Sequence, residues 1–209
     1  MNNKLGFIYK YIPSYESSNQ NTLLLLHGTG GNEEDLIPIG KMISPDAALL
    51  SPRGKVLENG MSRYFKRSAE GVFDQVDLRF RTDELAEFIG EASREYEFNL
   101  SRLAAVGYSN GANIAASLIL RHPGLIKWAV LFHPMIPYVP DTPPDLSNVK
   151  ILITAGRNDP IVSGEQTEDL KTLFQDCGAD VNLFWQESGH TLAKDEINEA
   201  NRFLAPLLI

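Results

Sequence analysis

The chain has a single cysteine, Cys177, in 209 residues. That is too few for an internal disulfide framework or a multi-cysteine zinc site. No His, Lys or Arg adjoins Cys177 to lower its pKa, so it reads as a structural thiol at a helix end rather than a nucleophile. Basic charge is also scarce. Lys and Arg total 19 against 27 Asp and Glu, a net charge of −8, which argues against nucleic acid or an anionic membrane as the main partner. No uninterrupted apolar run reaches membrane-spanning length. The opening Met1-Asn2-Asn3-Lys4-Leu5-Gly6 lacks the apolar core of a signal peptide, so a cytoplasmic protein is expected. With no repeat and no long low-complexity linker, the length suits one domain over 1–209 with a sizeable core.

What is present is an alternation of strand-like and helix-like segments. Short apolar runs at 22–26, 47–51, 103–106, 128–132 and 149–154 read as buried strands, and 5–12 and 181–185 as further strands. Segments 82–96, 112–120, 166–177 and 196–204 read as helices, the first with Leu85, Phe88, Ile89 and Ala92 on one face. Strands alternating with helices predict an α/β fold, a mostly parallel sheet covered on both faces. Two stretches look irregular: 52–77, and the Pro-rich 134–144, which reads as an active-site loop.

Gly107-Tyr108-Ser109-Asn110-Gly111 stands between a strand-like and a helix-like run. This is the G-x-S-x-G nucleophile elbow in its required strand–turn–helix setting. The tight turn strains the serine backbone, and glycines two residues on either side remove Cβ atoms that would collide there. A serine hydroxyl is a weak nucleophile and needs a base, and the base needs an orienting acid. In such elbows the partners follow in the order serine, acid, histidine. His190, after the last strand and before the last helix, fits the base. His133 precedes every good acid, His122 reads as a helix stop, and His27 as a hydrogen-bonded structural residue beside glycines. Asp159, in Asn158-Asp159-Pro160, either builds a turn or serves as the acid; chain order and its strand-end position favour the acid.

An acyl-transfer site also needs an oxyanion hole. One donor is expected from the N–H of Asn110, after the nucleophile, and the second from the N–H of Thr29 in His27-Gly28-Thr29-Gly30-Gly31. A phosphate cradle is the weaker reading of that glycine-rich loop, because no Gly-Lys-Ser/Thr follows and Glu33, Glu34 and Asp35 would repel phosphate. Tyr64, Phe65, Phe73, Met135, Ile136, Ile161 and Leu192 are candidates to line the substrate cleft, with ordinary packing as the alternative for each. The chemistry calls for no metal and no organic cofactor.

Taken together, Leu-Leu-His-Gly-Thr-Gly-Gly-Asn-Glu at 25–33, Gly-Tyr-Ser-Asn-Gly-Ala at 107–112, Asp-Pro-Ile-Val at 159–162 and Gly-His-Thr-Leu at 189–192 make the chain resemble the phospholipase/carboxylesterase group of α/β-hydrolases. That group contains acyl-protein thioesterases and small bacterial carboxylesterases. Thr29-Gly30-Gly31 and Tyr64-Phe65-Lys66 depart from the thioesterase pattern and are more similar to the bacterial carboxylesterase branch. The resemblance implies an α/β-hydrolase fold and carboxylic ester hydrolysis, with thioesterase or lysophospholipase activity as the alternative. The short chain leaves little sequence for a cap domain and so suggests an open cleft for small to medium esters, and a slow-turnover sensor that keeps the triad is a separate alternative. The resemblance also implies Ser109, Asp159 and His190 as the triad, the N–H groups of Thr29 and Asn110 as the oxyanion hole, a small-molecule ester as partner, and a homodimer.

Overall fold

The computed structural model describes residues 6–15, 21–69 and 71–208. In chain order the elements are β1 (Tyr9–Ile12), β2 (Thr22–Leu26), α1 (Ile37–Ile43), β3 (Ala48–Pro52), β4 (Val56–Glu58), β5 (Met61–Arg63), β6 (Arg67–Ala69), β7 (Val72–Phe73), α2 (Gln75–Tyr96), β8 (Leu103–Tyr108), α3 (Asn110–Arg121), β9 (Trp128–Phe132), β10 (Lys150–Gly156), α4 (Gly164–Asp176), β11 (Asp180–Gln186) and α5 (Lys194–Leu208). Seven strands form one sheet in the order β1-β3-β2-β8-β9-β10-β11. Only β1 runs antiparallel to its neighbour. This is the expected α/β-hydrolase arrangement.

The central strands are apolar throughout because both faces are covered. Their two-residue period divides each run between two cores. Leu24 and Leu26 of β2 face α2, α3 and α4 together with Ala105, Leu131 and Ile153. Leu23 and Leu25 face α1 and α5 with Val106, Val130 and Leu152. α3 is buried at every residue from Asn110 to Leu120. It is tied to α2 by the Thr82 and Ser117 hydroxyls, 2.7 Å apart, and by a two-pronged Arg121–Asp83 contact at 2.6 and 2.7 Å. His122, at the α3 C-cap, adds its Nε2 to Asp83 at 2.8 Å.

Several boundaries differ from expectation. The helix expected over 82–96 starts at Gln75, because the Asp74 carboxylate caps the N–H groups of Val76 and Asp77 at 3.1 and 3.0 Å. Its first two turns expose Val76 and Phe80, which hides the apolar period. Region 52–77 is not simply irregular: it folds as two small hairpins, β4–β5 and β6–β7, before α2 begins. Strands of two or three residues are too short to carry a periodic signal. α1 has no such sequence signature either, since its N-cap Leu36 offers no capping side chain. The expected strand over 5–12 is β1; Leu5 lies outside the described residues. Among the described residues no cap domain covers the sheet's carboxyl edge, and no helix is long and apolar enough to cross a membrane.

Candidate active site

The elbow is a steric solution. Ser109 sits at φ 52, ψ −113 between β8 and α3, a region non-glycine residues rarely adopt. β8 and α3 approach so closely there that a Cβ on Gly107 would lie 2.5 Å from the Gly111 carbonyl oxygen. A Cβ on Gly111 would lie 1.9 Å from the Leu26 carbonyl oxygen. The Ser109 N–H donates to Phe132 O at 2.9 Å, which pins the turn to β9.

Three loops at the carboxyl ends of β8, β10 and β11 then meet. His190 Nε2 is 2.9 Å from Ser109 Oγ, and His190 Nδ1 is 2.7 Å from Asp159 Oδ2. The other carboxylate oxygen of Asp159 accepts the N–H groups of Ile161 and Val162 at 2.8 and 3.2 Å, so one residue both builds the turn and meets His190. Burial pushes the Asp159 carboxyl up, but the Ile161 N–H, His190 and the Val162 N–H outweigh it and hold the group below the usual carboxylate range. The acid and histidine loops are laced by Arg157 N–H to Gln186 O at 2.8 Å and Asn158 Nδ2 to Glu187 O at 2.6 Å. Gly156 permits this, because a Cβ there would lie 2.3 Å from Gly189 O. The Tyr108 hydroxyl donates to His190 O at 2.9 Å and steadies the histidine from beneath.

Ser109 and His190 open onto a cavity of about 290 Å³. Thr29, Asn110, Phe73, Met135 and Ile161 line it, as do Arg63 and Arg67. Among the described residues the Thr29 N–H has no protein partner, whereas its neighbours Gly30 and Gly31 donate to Ser62 O and Gly28 O at 2.8 and 3.1 Å. Leu192 lines a second, adjoining cavity that shares Thr29 and Tyr108.

Three candidate lining residues lie elsewhere. Phe65 is wholly buried in the core, edge-on to Phe73 with ring centroids 5.0 Å apart. Tyr64 is buried beneath the site: its hydroxyl donates to Pro52 O at 2.7 Å and its N–H to Asn110 Oδ1 at 2.8 Å. Ile136 packs against the core rather than the cavity. Which way a side chain of such a short segment points depends on local register, which composition does not carry.

Other functional-site residues were not legible. Arg63 Nη1 donates to Thr29 Oγ1 at 2.8 Å, and Arg63 and Arg67 share Glu58 at 3.5 and 2.6 Å. The loop after β2 is further anchored by Glu33, buried and paired with Arg53 at 2.5 and 2.9 Å. That charge therefore does not face the cavity. Asn113 Oδ1 accepts the Met135 N–H at 2.7 Å and holds the Pro-rich loop to α3. His27 is buried, and its Nε2 accepts the Gly54 N–H at 3.0 Å. His133, set aside on chain order, lies beside the acid with its Nδ1 3.2 Å from Asp159 Oδ2. His133, Asp159 and His190 bring metal-type ligand atoms within 4.8 Å of one another. His133 Nδ1, Asp159, His190 and Ser109 form a hydrogen-bonded chain, and His133 Nε2 lies 2.9 Å from Glu196 Oε1 as an ion-pair contact outside hydrogen-bond geometry. Cys177 caps α4, buried, and burial pushes its thiol up.

Comparison with known proteins gives a concordant picture. A model of the dienelactone hydrolase family matches residues 63–203. A putative hydrolase of Bacillus subtilis, MhqD, is 47% identical over 194 residues, covering 93% of this chain and 97% of that protein. The crystal structure of a Bacillus cereus carboxylesterase is 45% identical with a TM-score of 0.91, covering 95% of this chain and 93% of that one. A carboxylesterase from Mesorhizobium loti is 33% identical with a TM-score of 0.93, covering 98% and 97%. Both solved structures are bacterial carboxylesterases, the branch the sequence motifs resemble.

Proposed function

The chain belongs to the dienelactone hydrolase family of hydrolases, and on that premise we propose that it is a serine carboxylesterase working through an acyl-enzyme on Ser109. The observation that carries this reading is the unbroken chain Ser109 Oγ to His190 Nε2 at 2.9 Å and His190 Nδ1 to Asp159 Oδ2 at 2.7 Å, open to a cavity. His190 takes the hydroxyl proton as Ser109 attacks the ester carbonyl. Asp159 holds Nδ1–H, so Nε2 is the free acceptor, and its ionised carboxylate stabilises the imidazolium that forms. The tetrahedral oxyanion is held by the N–H groups of Thr29 and Asn110, each supplying on the order of 3 kcal/mol of barrier lowering. His190 then gives its proton to the departing alcohol. Water, deprotonated by the same histidine, attacks the acyl-enzyme and releases the acid, so one ester and one water become one acid and one alcohol.

A cavity of about 290 Å³ lined by Phe73, Met135 and Ile161 suits small to medium acyl groups. A panel of p-nitrophenyl esters should show the highest kcat/KM at acetate to butyrate and a fall of roughly tenfold or more by dodecanoate. Matched thioesters in the panel separate a thioesterase from an esterase. A single stoichiometric burst with no further turnover would favour a sensor that keeps the triad. No hydrolysis of any member would contradict the proposal. In the same reading the whole chain, 1–209, works as one cytoplasmic domain without a cofactor, and the resemblance to carboxylesterases adds a homodimer, which light scattering measures.

A further inference from the structure

Behind the Ser109–His190–Asp159 chain lies a second, fully buried set of ionisable groups that the mechanism above does not use. His133 follows β9 at φ 52, held in place by its N–H donating to Thr154 O at 2.9 Å. Its side chain is 0% exposed, and so is that of Glu196, which α5 presents from its first turn. The two ring nitrogens of His133 face different carboxylates: Nδ1 lies 3.2 Å from Asp159 Oδ2 and Nε2 2.9 Å from Glu196 Oε1.

Glu196 is otherwise met only by donors. Oε2 accepts Gln186 Nε2 at 2.9 Å and the Ala193 N–H at 2.7 Å, and Oε1 accepts the Thr154 hydroxyl. Asp159 is likewise surrounded by donors: the N–H groups of Ile161 and Val162 on Oδ1, and both histidines on Oδ2. A neutral imidazole carries one N–H and one lone pair. It would leave one of two buried carboxylates facing a lone pair, a strongly unfavourable arrangement in a site without water access. Only the imidazolium presents an N–H and positive charge to both: Nδ1 meets Asp159 in a hydrogen bond, and Nε2 meets Glu196 as an ion pair at 2.9 Å, outside hydrogen-bond geometry.

On the reading that Ser109, His190 and Asp159 form the triad, we infer that His133 is a positioning residue: an imidazolium that ties Asp159 Oδ2 back to Glu196 and holds the acid in register with His190. The charged and titratable groups facing His133 are Asp159 from the loop after β10, Glu196 from α5, His190 from the loop after β11 and Tyr108 from the end of β8, the last two with ring centroids 5.2 and 6.1 Å away. Burial works to lower the His133 pKa, but Glu196 first and Asp159 second outweigh it and raise the pKa above the ordinary histidine range. The positive charge sits as a counter-charge between Asp159 and Glu196, and it tempers the negative field that the two carboxylates together place on His190.

Removing that charge therefore has a signed consequence. In His133→Gln the two carboxylates act on His190 without a counter-charge and favour its protonated form. The acid limb of kcat/KM for p-nitrophenyl acetate should move up by about one pH unit, with kcat lowered about tenfold and KM nearly constant. The double variant His133→Gln/Glu196→Gln removes one charge of each sign and should bring the limb most of the way back. A purely structural role would lower kcat in both variants and leave both limbs at the wild-type position, which would overturn the inference. Imidazole ¹⁵N NMR of the wild-type protein decides the matter even if the variants do not fold. Two protonated ring nitrogens on His133 near neutral pH are expected, and a single N–H would overturn it. Retained turnover in Ser109→Ala would instead sink the triad reading, and the NMR result is independent of that outcome.

Discussion

Replacing Ser109 with Ala is expected to lower kcat on p-nitrophenyl acetate by about 10⁴- to 10⁶-fold, the range seen when a nucleophile that acts as a unit with its base is removed. The size follows from what remains. The Thr29 and Asn110 N–H groups still bind a developing oxyanion, but no oxygen stands 2.9 Å from His190 Nε2 to attack the carbonyl. Cys177 offers no substitute, being buried at the end of α4 with its thiol pushed up by burial. The fold should be untouched. Alanine at φ 52 is no more strained than serine, and Ser109 fixes the turn through its backbone N–H to Phe132 O. The urea midpoint and far-UV circular dichroism should therefore match the wild type, with a stability change within about 0.5 kcal/mol. A loss of activity accompanied by unfolding would not count in favour of the assignment.

Gly111→Ala is expected to have the largest effect on stability. The added Cβ would lie 1.9 Å from Leu26 O, 2.4 Å from Leu26 C and 2.6 Å from His27 O. All three atoms are backbone, at the end of a central strand, and α3 behind them is buried along its length. Neither side can yield without breaking the β2–β8 pairing or lifting α3 from the sheet. A cost of about 3 kcal/mol or more is expected, above the usual range for overpacking a core, or roughly 6–12 °C in Tm for a chain of this size. Gly164→Ala is the matched control. Its Cβ would meet only Trp185 at 3.5 Å, an ordinary contact at the start of α4, and Tm should stay within about 2 °C. A soluble Gly111→Ala protein with wild-type Tm and activity would show that strand and helix are not as closely opposed as the structure has them.

These two sites also show where sequence reasoning succeeds. Gly107 and Gly111 could be read because one local steric demand dictates three residues of five. β2 and β9 could be read because strands buried on both faces are apolar without interruption. His190 and Asp159 could be read because chain order and strand ends restrict the choice. What escaped was set by distant neighbours. His133 was set aside because it precedes every good acid candidate, yet it meets Glu196 from α5, a contact no local pattern records. Tyr64 and Phe65 looked like pocket aromatics. They lie just after the three-residue strand β5, and the fold turns them inward, Tyr64 to hold Asn110 and Phe65 into the core. Arg63 and Arg67 drew no notice because their place in the cavity wall depends on two hairpins too short to announce themselves. The meeting of Ser109, His190 and Asp159 was legible; the supports and walls around them were made by tertiary contact.

The central claim is that the acyl group passes through Ser109. It is tested most directly by mixing the protein with excess p-nitrophenyl acetate, quenching in acid within the first turnover, and mapping the adduct by peptide mass spectrometry. The account predicts one acetyl group per chain on the peptide carrying Ser109, no such adduct in His190→Ala, and its disappearance as substrate is exhausted. An acetyl group on any other residue that is kinetically competent for turnover, or steady turnover with Ser109 never acylated, would contradict it.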